Sequence, residues 1–194
     1  EQKGYAVPAG LRNRSLSYLQ RIDAHLPSWY SEESKRATRA YALFVRQLLG
    51  DPGKDAAKKL FAQAGLDGLS LESLGFLLPT LQATGETASV DAIVRHLGNR
   101  AEETAGAAHF TESYTDGAHV LLHSNRRTDG VLLDALVQVL PDSDLIPKLV
   151  AGLLSQAEVQ TPLFFFFENE VRKDCRLTPR ASLANECVII DAAS

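Results

Sequence analysis

The sequence has no methionine, a single tryptophan and only two cysteines. It also lacks any apolar run near the roughly 18 residues that a membrane-spanning helix requires, so a membrane span is excluded. No basic surplus is present. Lysine and arginine together number 20 against 24 aspartates and glutamates, giving a net charge of −4. That balance argues against nucleic acid or an anionic membrane as the main partner. Cys175 and Cys187 do not stand in the C-x-x-C spacing of zinc or redox sites, and a disulfide and two free thiols both remain open. A chain that starts at Glu1 and holds no methionine reads as a processed form or a fragment, so the missing signal peptide says nothing about compartment. What is present is the composition of a soluble globular domain, 45% hydrophobic and 23% charged, long enough to bury a sizeable core.

The main pattern along the chain is helical. Leu11, Ser15, Leu19, Ile22 and Leu26 form one stripe. Ala37, Ala40, Tyr41, Phe44, Val45 and Leu48 form a second, opened by Ser31 with Glu32 and Glu33 in the first turn and closed by Gly50-Asp51-Pro52. A third helix is expected over 54–64, ending at Gly65. A fourth opens at Ser70 with Leu71, Leu74, Leu78 and Leu81, kinked or shortened by Pro79. Val90, Ile93, Val94 and Leu97 mark a fifth that stops at Gly98. Thr128 reads as the cap of a sixth containing Val131, Leu132, Ala135, Leu136 and Val139, and a seventh begins near Asp144. Short loops between helices of this length make antiparallel hairpins that stack side by side, as an open solenoid or a closed α/α toroid. No strict repeat of 34 or 40 residues is legible.

One segment departs from this pattern. His109 to Tyr114 and Ala118 to His123 flank Thr115-Asp116-Gly117, which reads as a small β-hairpin inserted in an all-α domain. With its turn centred on Asp116, His109 faces His123 and Ser113 faces His119, which makes His109 and His123 candidate metal ligands. The plainer alternative is a polar hairpin face. His123, Ser124 and Asp129 have the residue types of a hydrolytic triad, but no G-x-S-x-G elbow accompanies them, and Ser124 to Thr128 is more simply a loop into a helix. Arg126 and Arg127 are candidates for contact with an acidic neighbouring domain, or for salt bridges to Asp129 and Asp134. Trp29-Tyr30 is expected to pack over a helix junction. After about Glu158 the character changes, with four consecutive phenylalanines at Phe164 to Phe167, so the chain divides into a helical domain over 1–157 and a divergent tail over 158–194.

Three blocks stand in order along the first of these: KGYAVPAGL over Lys3 to Leu11, HSNRRTDGVLLDAL over His123 to Leu136, and PDSDLIPKLVAGLL over Pro141 to Leu154. They resemble the thioester-containing domain of bacterial alpha-2-macroglobulin-like proteins over roughly Glu1 to Gln156. The resemblance implies an α/α toroid, here incomplete, in an endopeptidase inhibitor that traps proteases in the bacterial periplasm or cell envelope. Members of that family join a cysteine to a glutamine in a Cys-x-Glu-Gln thioester. Neither cysteine here has a glutamine three positions on, because Thr178 and Ile190 stand there. The resemblance therefore implies that thioester, bait region and β-domains lie upstream. The family's continuation, a Gly-x-Trp stretch and a Thr-Gln-Glu-Asn block, is replaced from Gln156 to Glu158 onward.

The expected function is thus that of a non-enzymatic part of a protease-trapping inhibitor, with no cofactor and no metal. Its partners would be the neighbouring macroglobulin domains of the parent chain and, through the parent, proteases. A plain helical scaffold for protein–protein interaction is the alternative. An enzyme on a similar toroid would need clustered acids or an Asp/Cys/His zinc set, and no such run appears.

Overall fold

The computed structural model describes residues 8–104, 106–115 and 120–155. Its helices are α1 (Ala9–Gln20), α2 (Glu32–Leu48), α3 (Lys54–Ala64), α4 (Leu71–Ala83), α5 (Thr87–Arg100), α6 (Asn125–Val139) and α7 through residues 145–155. A 3-10 turn at Ile22–His25 follows α1. Strands β1 (Glu102–Thr104) and β2 (Ala107–His109) pair between α5 and α6. Among the described residues the protein is mostly helical, with one small two-stranded antiparallel sheet.

Local chemistry sets most helix ends. The Ser31 and Ser70 hydroxyls accept the N–H groups of Ser34 and Ser73, three residues into α2 and α4. Each satisfies one of the donors that a helix start leaves unpaired. α3 ends at Gly65, as its sequence predicts. α5 does not stop at Gly98 but continues to Arg100, since one exposed glycine costs a helix only about 1 kcal/mol. α4 likewise runs through Pro79 to Ala83, with the Thr80 hydroxyl donating to the Phe76 carbonyl. The first apolar stripe is divided rather than continuous, because α1 ends at Gln20 and the 3-10 turn carries Ile22.

α4 is the hub of the core. Every residue from Leu69 to Leu81 is buried. A helix with no polar face must be surrounded, and α4 packs against α2, α3, α5 and α6. Its most extensive interfaces are with α2 and α6, alternate helices along the chain, rather than with its sequence neighbours α3 and α5. Leu74, Leu77, Leu78 and Leu81 meet a core built from Leu43, Leu60, Ile93, Leu97, Leu132 and Leu136. Full burial of each such side chain is worth about 1.5–3 kcal/mol. Gly75 lets α6 approach closely, since a Cβ there would lie 2.8 Å from Val131 Cγ1. α7 reaches the sheet in the same way, with Gly152 against the Ala108 carbonyl.

The sheet differs in place from the expected hairpin. Glu102 pairs with His109 and Thr104 with Ala107 around a turn containing Gly106 at φ +84°. His109 is therefore the end of the second strand and not the start of a first. Residues 110–115 make no ladder, and two of their N–H groups are taken by side chains at the start of α6. Phe110 N–H goes to Asp129 and Glu112 N–H to Asn125. α6 also starts earlier than expected. Ser124 caps it by accepting the Arg127 N–H, while Thr128 lies inside the helix and is fully buried. Trp29 stacks edge-on with Tyr30 at 4.7 Å but is 70% exposed, so it does not seal a junction.

Leu136 is 2% exposed, on a face of α6 that also buries Leu132 and Ala135. Truncation to alanine should cost about 2–5 kcal/mol in a two-state denaturant melt. A loss below about 1 kcal/mol would mean that α6 does not pack as described. Glycine substitutions should split by site. Gly98→Ala, with open space around it, should stabilise α5 by about 0.5–1 kcal/mol. Gly152→Ala should destabilise, because the new methyl meets a backbone carbonyl.

Candidate functional site

The N-terminal end of α4 is where side chains from distant parts of the chain converge. The Glu112 carboxylate accepts the Leu71 N–H with both oxygens, at 2.9 and 3.0 Å. One residue on, Glu72 carries a charge into the core with its side chain only 2% exposed. Its Oε2 lies 2.5 Å from His123 Nδ1 and its Oε1 lies 2.6 Å from Arg127 Nη2. A carboxylate in the first turn also faces the positive end of the helix dipole. The His123 ring is buried and lies parallel to Tyr114, with centroids 4.7 Å apart and planes 2° apart. Tyr114 and Thr128 share a hydroxyl–hydroxyl bond of 2.8 Å, which ties the stack to α6.

Arg127 has a second task. Its Nη1 donates to the Leu121 carbonyl at 2.6 Å. With Leu121 held by Arg127 and His123 held by Glu72, Leu122 between them turns to φ +52° and is 82% exposed. That backbone region costs a branched L-residue about 1–2 kcal/mol, so the surrounding contacts must impose it.

Burial raises the carboxyl pKa of Glu112 above its ordinary value, against the opposing pull of the Leu71 N–H and of Arg100. It raises Asp129 too, against the Phe110 N–H and His109. Burial also raises the Tyr114 phenol, against its bond to Thr128. Among the described residues, His123 Nε2 and Asp129 Oδ2 are buried polar atoms with no hydrogen-bond partner.

The residues singled out from sequence separate here. His109 Nε2 lies 3.5 Å from Glu102, its cross-strand neighbour, and its side chain is about a third exposed. His123 belongs to the Glu72 cluster. The turn and part of the second arm of the expected hairpin, 116–119, lie outside the described residues; the described flanks, 110–115 and 120–123, form no ladder, and among the described residues no group of three or more metal-ligating side chains converges. His119 lies outside the described residues, as do Cys175, Cys187 and the tail over 158–194. His123, Ser124 and Asp129 perform three separate tasks: pairing with Glu72, capping α6 and holding the Phe110 N–H. Arg127 bonds Glu72 rather than Asp129 or Asp134, and Arg126 is half-buried on the same turn. Glu72, Glu112 and Tyr114 were not singled out from sequence. Glu72 was legible in principle, as the one charged residue between Leu69 and Leu81.

The arrangement orients an imidazole with a carboxylate, as acid–base sites do. The neighbouring Ser124 hydroxyl, however, is spent on the helix cap. The chemistry on display is cohesion: one buried carboxylate gathers α4, α6 and the loop before α6.

The fold defines the class as a mostly helical domain with a small antiparallel sheet. No protein-family model matches the chain, and no solved structure matches it. Among curated proteins, Circularly permutated Ras protein 2 of Dictyostelium discoideum is 30% identical over an alignment of 170 residues that covers 80% of this chain. The match amounts to 4% of that protein's length, so it marks a similar stretch within a far longer chain and not membership of a family.

Removing the central carboxylate tests the cluster. Glu72→Ala leaves His123 and Arg127 without their acid and should cost about 3–5 kcal/mol in urea unfolding. Arg127→Ala, whose side chain is 42% exposed, should cost less, about 1.5–3 kcal/mol. Equal losses would mean that the buried end of the pair does not dominate. Asp129 gives a pH signature. Its folded pKa is raised, so between the ordinary carboxylate value and the raised one the native state keeps a proton that the unfolded chain has released. Its contribution is present below that window and lost as pH rises through it. Asp129→Asn should remove this part of the slope in unfolding free energy measured from pH 4 to 7.

Proposed function

We propose that the chain is a stretch of the thioester-type α/α toroid of a protease-trapping inhibitor of alpha-2-macroglobulin type. Its role in the parent would be to shield the thioester and present it after bait cleavage. The observation that supports this reading best is the alternation in packing. α4 lies chiefly between α2 and α6, while α3 and α5 form its lesser contacts. An inner layer of alternate helices with the intervening helices outside is what a stacked series of helical hairpins produces. The His123 to Leu136 block, which carries most of the resemblance, supplies His123, Arg127, Thr128 and Asp129 to the centre of that arrangement.

On this reading the domain is incomplete, and the neighbouring macroglobulin domains complete its surface. Arg126 and the exposed part of Arg127 would face such a neighbour. The parent would act in the bacterial periplasm or cell envelope, and the chain itself would be non-enzymatic. Acyl transfer from a thioester needs both a cysteine and a glutamine three positions on. Neither Cys175 nor Cys187 provides that pair.

Two measurements test the reading. The reading frame upstream should encode Cys-x-Glu-Gln within about one or two hundred residues; a frame that extends that far without it would remove the thioester from the proposal. The purified chain incubated with trypsin and boiled in detergent should give no high-mass conjugate and should incorporate no methylamine. A conjugate that disappears in Cys175→Ser or Cys187→Ser would place reactive chemistry in this chain and overturn the reading.

A further inference from the structure

A cleft of about 350 Å³ lies between α1, the 3-10 turn, α2 and α3. Its apolar wall comes from Leu19, Ile22, Leu43 and Leu60. Its charged groups are Arg39, Arg46 and Lys59, against the single carboxylate of Asp23. The chain as a whole carries −4, so the sign of charge is inverted locally.

The α1 side is the least buried wall of the cleft. Residues 10–20 and the 3-10 turn contain no fully buried side chain. They are held over α2 and its C-terminal loop by polar contacts at the surface. Arg12 donates to the Leu49 carbonyl at 2.9 Å, Gln20 donates to Asp51 at 3.0 Å, and Arg39 Nε donates to Asp23 at 2.6 Å. Contacts of this kind contribute little net stability and exchange readily with solvent or a competing anion. Arg46 is paired with Asp51 at 2.9 Å, whereas Lys59 has no carboxylate partner among the described residues.

We propose that this cleft binds a small amphiphilic carboxylate, its apolar chain against Leu19, Ile22, Leu43 and Leu60 and its head on Lys59 and the Arg39 guanidinium. The head competes with Asp23 for Arg39, so binding loosens the Asp23 pin on the 3-10 turn. A neutral ligand of the same shape gains the apolar contacts alone. The site is independent of the thioester reading, since it uses none of the residues gathered around Glu72.

Octanoate titrated into the full chain, followed by amide NMR shifts, tests this. Saturable shifts should concentrate around Ile22, Leu43 and Lys59. Octanamide should bind about tenfold more weakly, the loss expected when charge-assisted hydrogen bonds are removed. Lys59→Ala, a surface change, should weaken octanoate by a similar factor, and Asp23→Asn should tighten it by releasing Arg39. The proposal is overturned if shifts fail to saturate or scatter over the molecule. It is equally overturned if octanamide binds as well as octanoate, or if Lys59→Ala binds like the parent chain.

Discussion

The rest of the structure depends on burying α4 from every side. Its run from Leu69 to Leu81 has no polar stripe to turn toward water, so its neighbours must close around it together. Closure carries Glu72 inward with the leucines, and a lone carboxylate in that position would be prohibitively desolvated. His123 and Arg127 answer it from the turn before α6 and the start of α6. A buried ion pair of this kind adds little net stability compared with a well-packed apolar substitute. It does add specificity: the α6 end of the chain fits α4 in the one register that brings both partners to the carboxylate. The alternate packing of α2, α4 and α6 is thus fixed by apolar shape along the helices and by charge at one end.

How much of this was legible in the sequence follows from the range of each interaction. α3, the Ser31 and Ser70 caps and the apolar faces were readable because caps and 3.6-residue stripes are local. The small sheet was anticipated in kind but set ten or more residues too late. Asp116-Gly117 reads as a hairpin turn and lies outside the described residues; on the described segment before it the competing interactions come from far away: Asp129 for Phe110, Asn125 for Glu112 and α4 for the Glu112 side chain. Thr128 looked like a cap for the same reason. A threonine before an apolar stripe is a cap only if its hydroxyl has nothing better to bond, and here Tyr114 takes it. The Glu72 cluster was invisible as a cluster, since its members stand at positions 72, 114, 123 and 127 and no spacing rule connects them.

The two ends of the helical array differ in how firmly they are held. At α6 and α7 the contacts are apolar and close, down to a glycine resting on a strand carbonyl. At α1 they are a few hydrogen bonds at the surface over a partly polar cleft. Such a gradient means that local opening begins at α1, where little apolar area is uncovered, long before the α4 core is disturbed.

The position of α4 along the chain also has a consequence for biosynthesis. α4 ends at Ala83, but its largest partner, α6, is finished only at Val139. At about 5–20 residues per second the ribosome needs about 3–11 s to add the intervening residues. During that interval the leucines that will face α6 lack their native cover, and for most of it Glu72 lacks Arg127. The nascent chain passes through a stage with a half-wrapped apolar helix. That stage is a natural substrate for a holding chaperone, and translational pauses between Ala83 and Val139 would lengthen it.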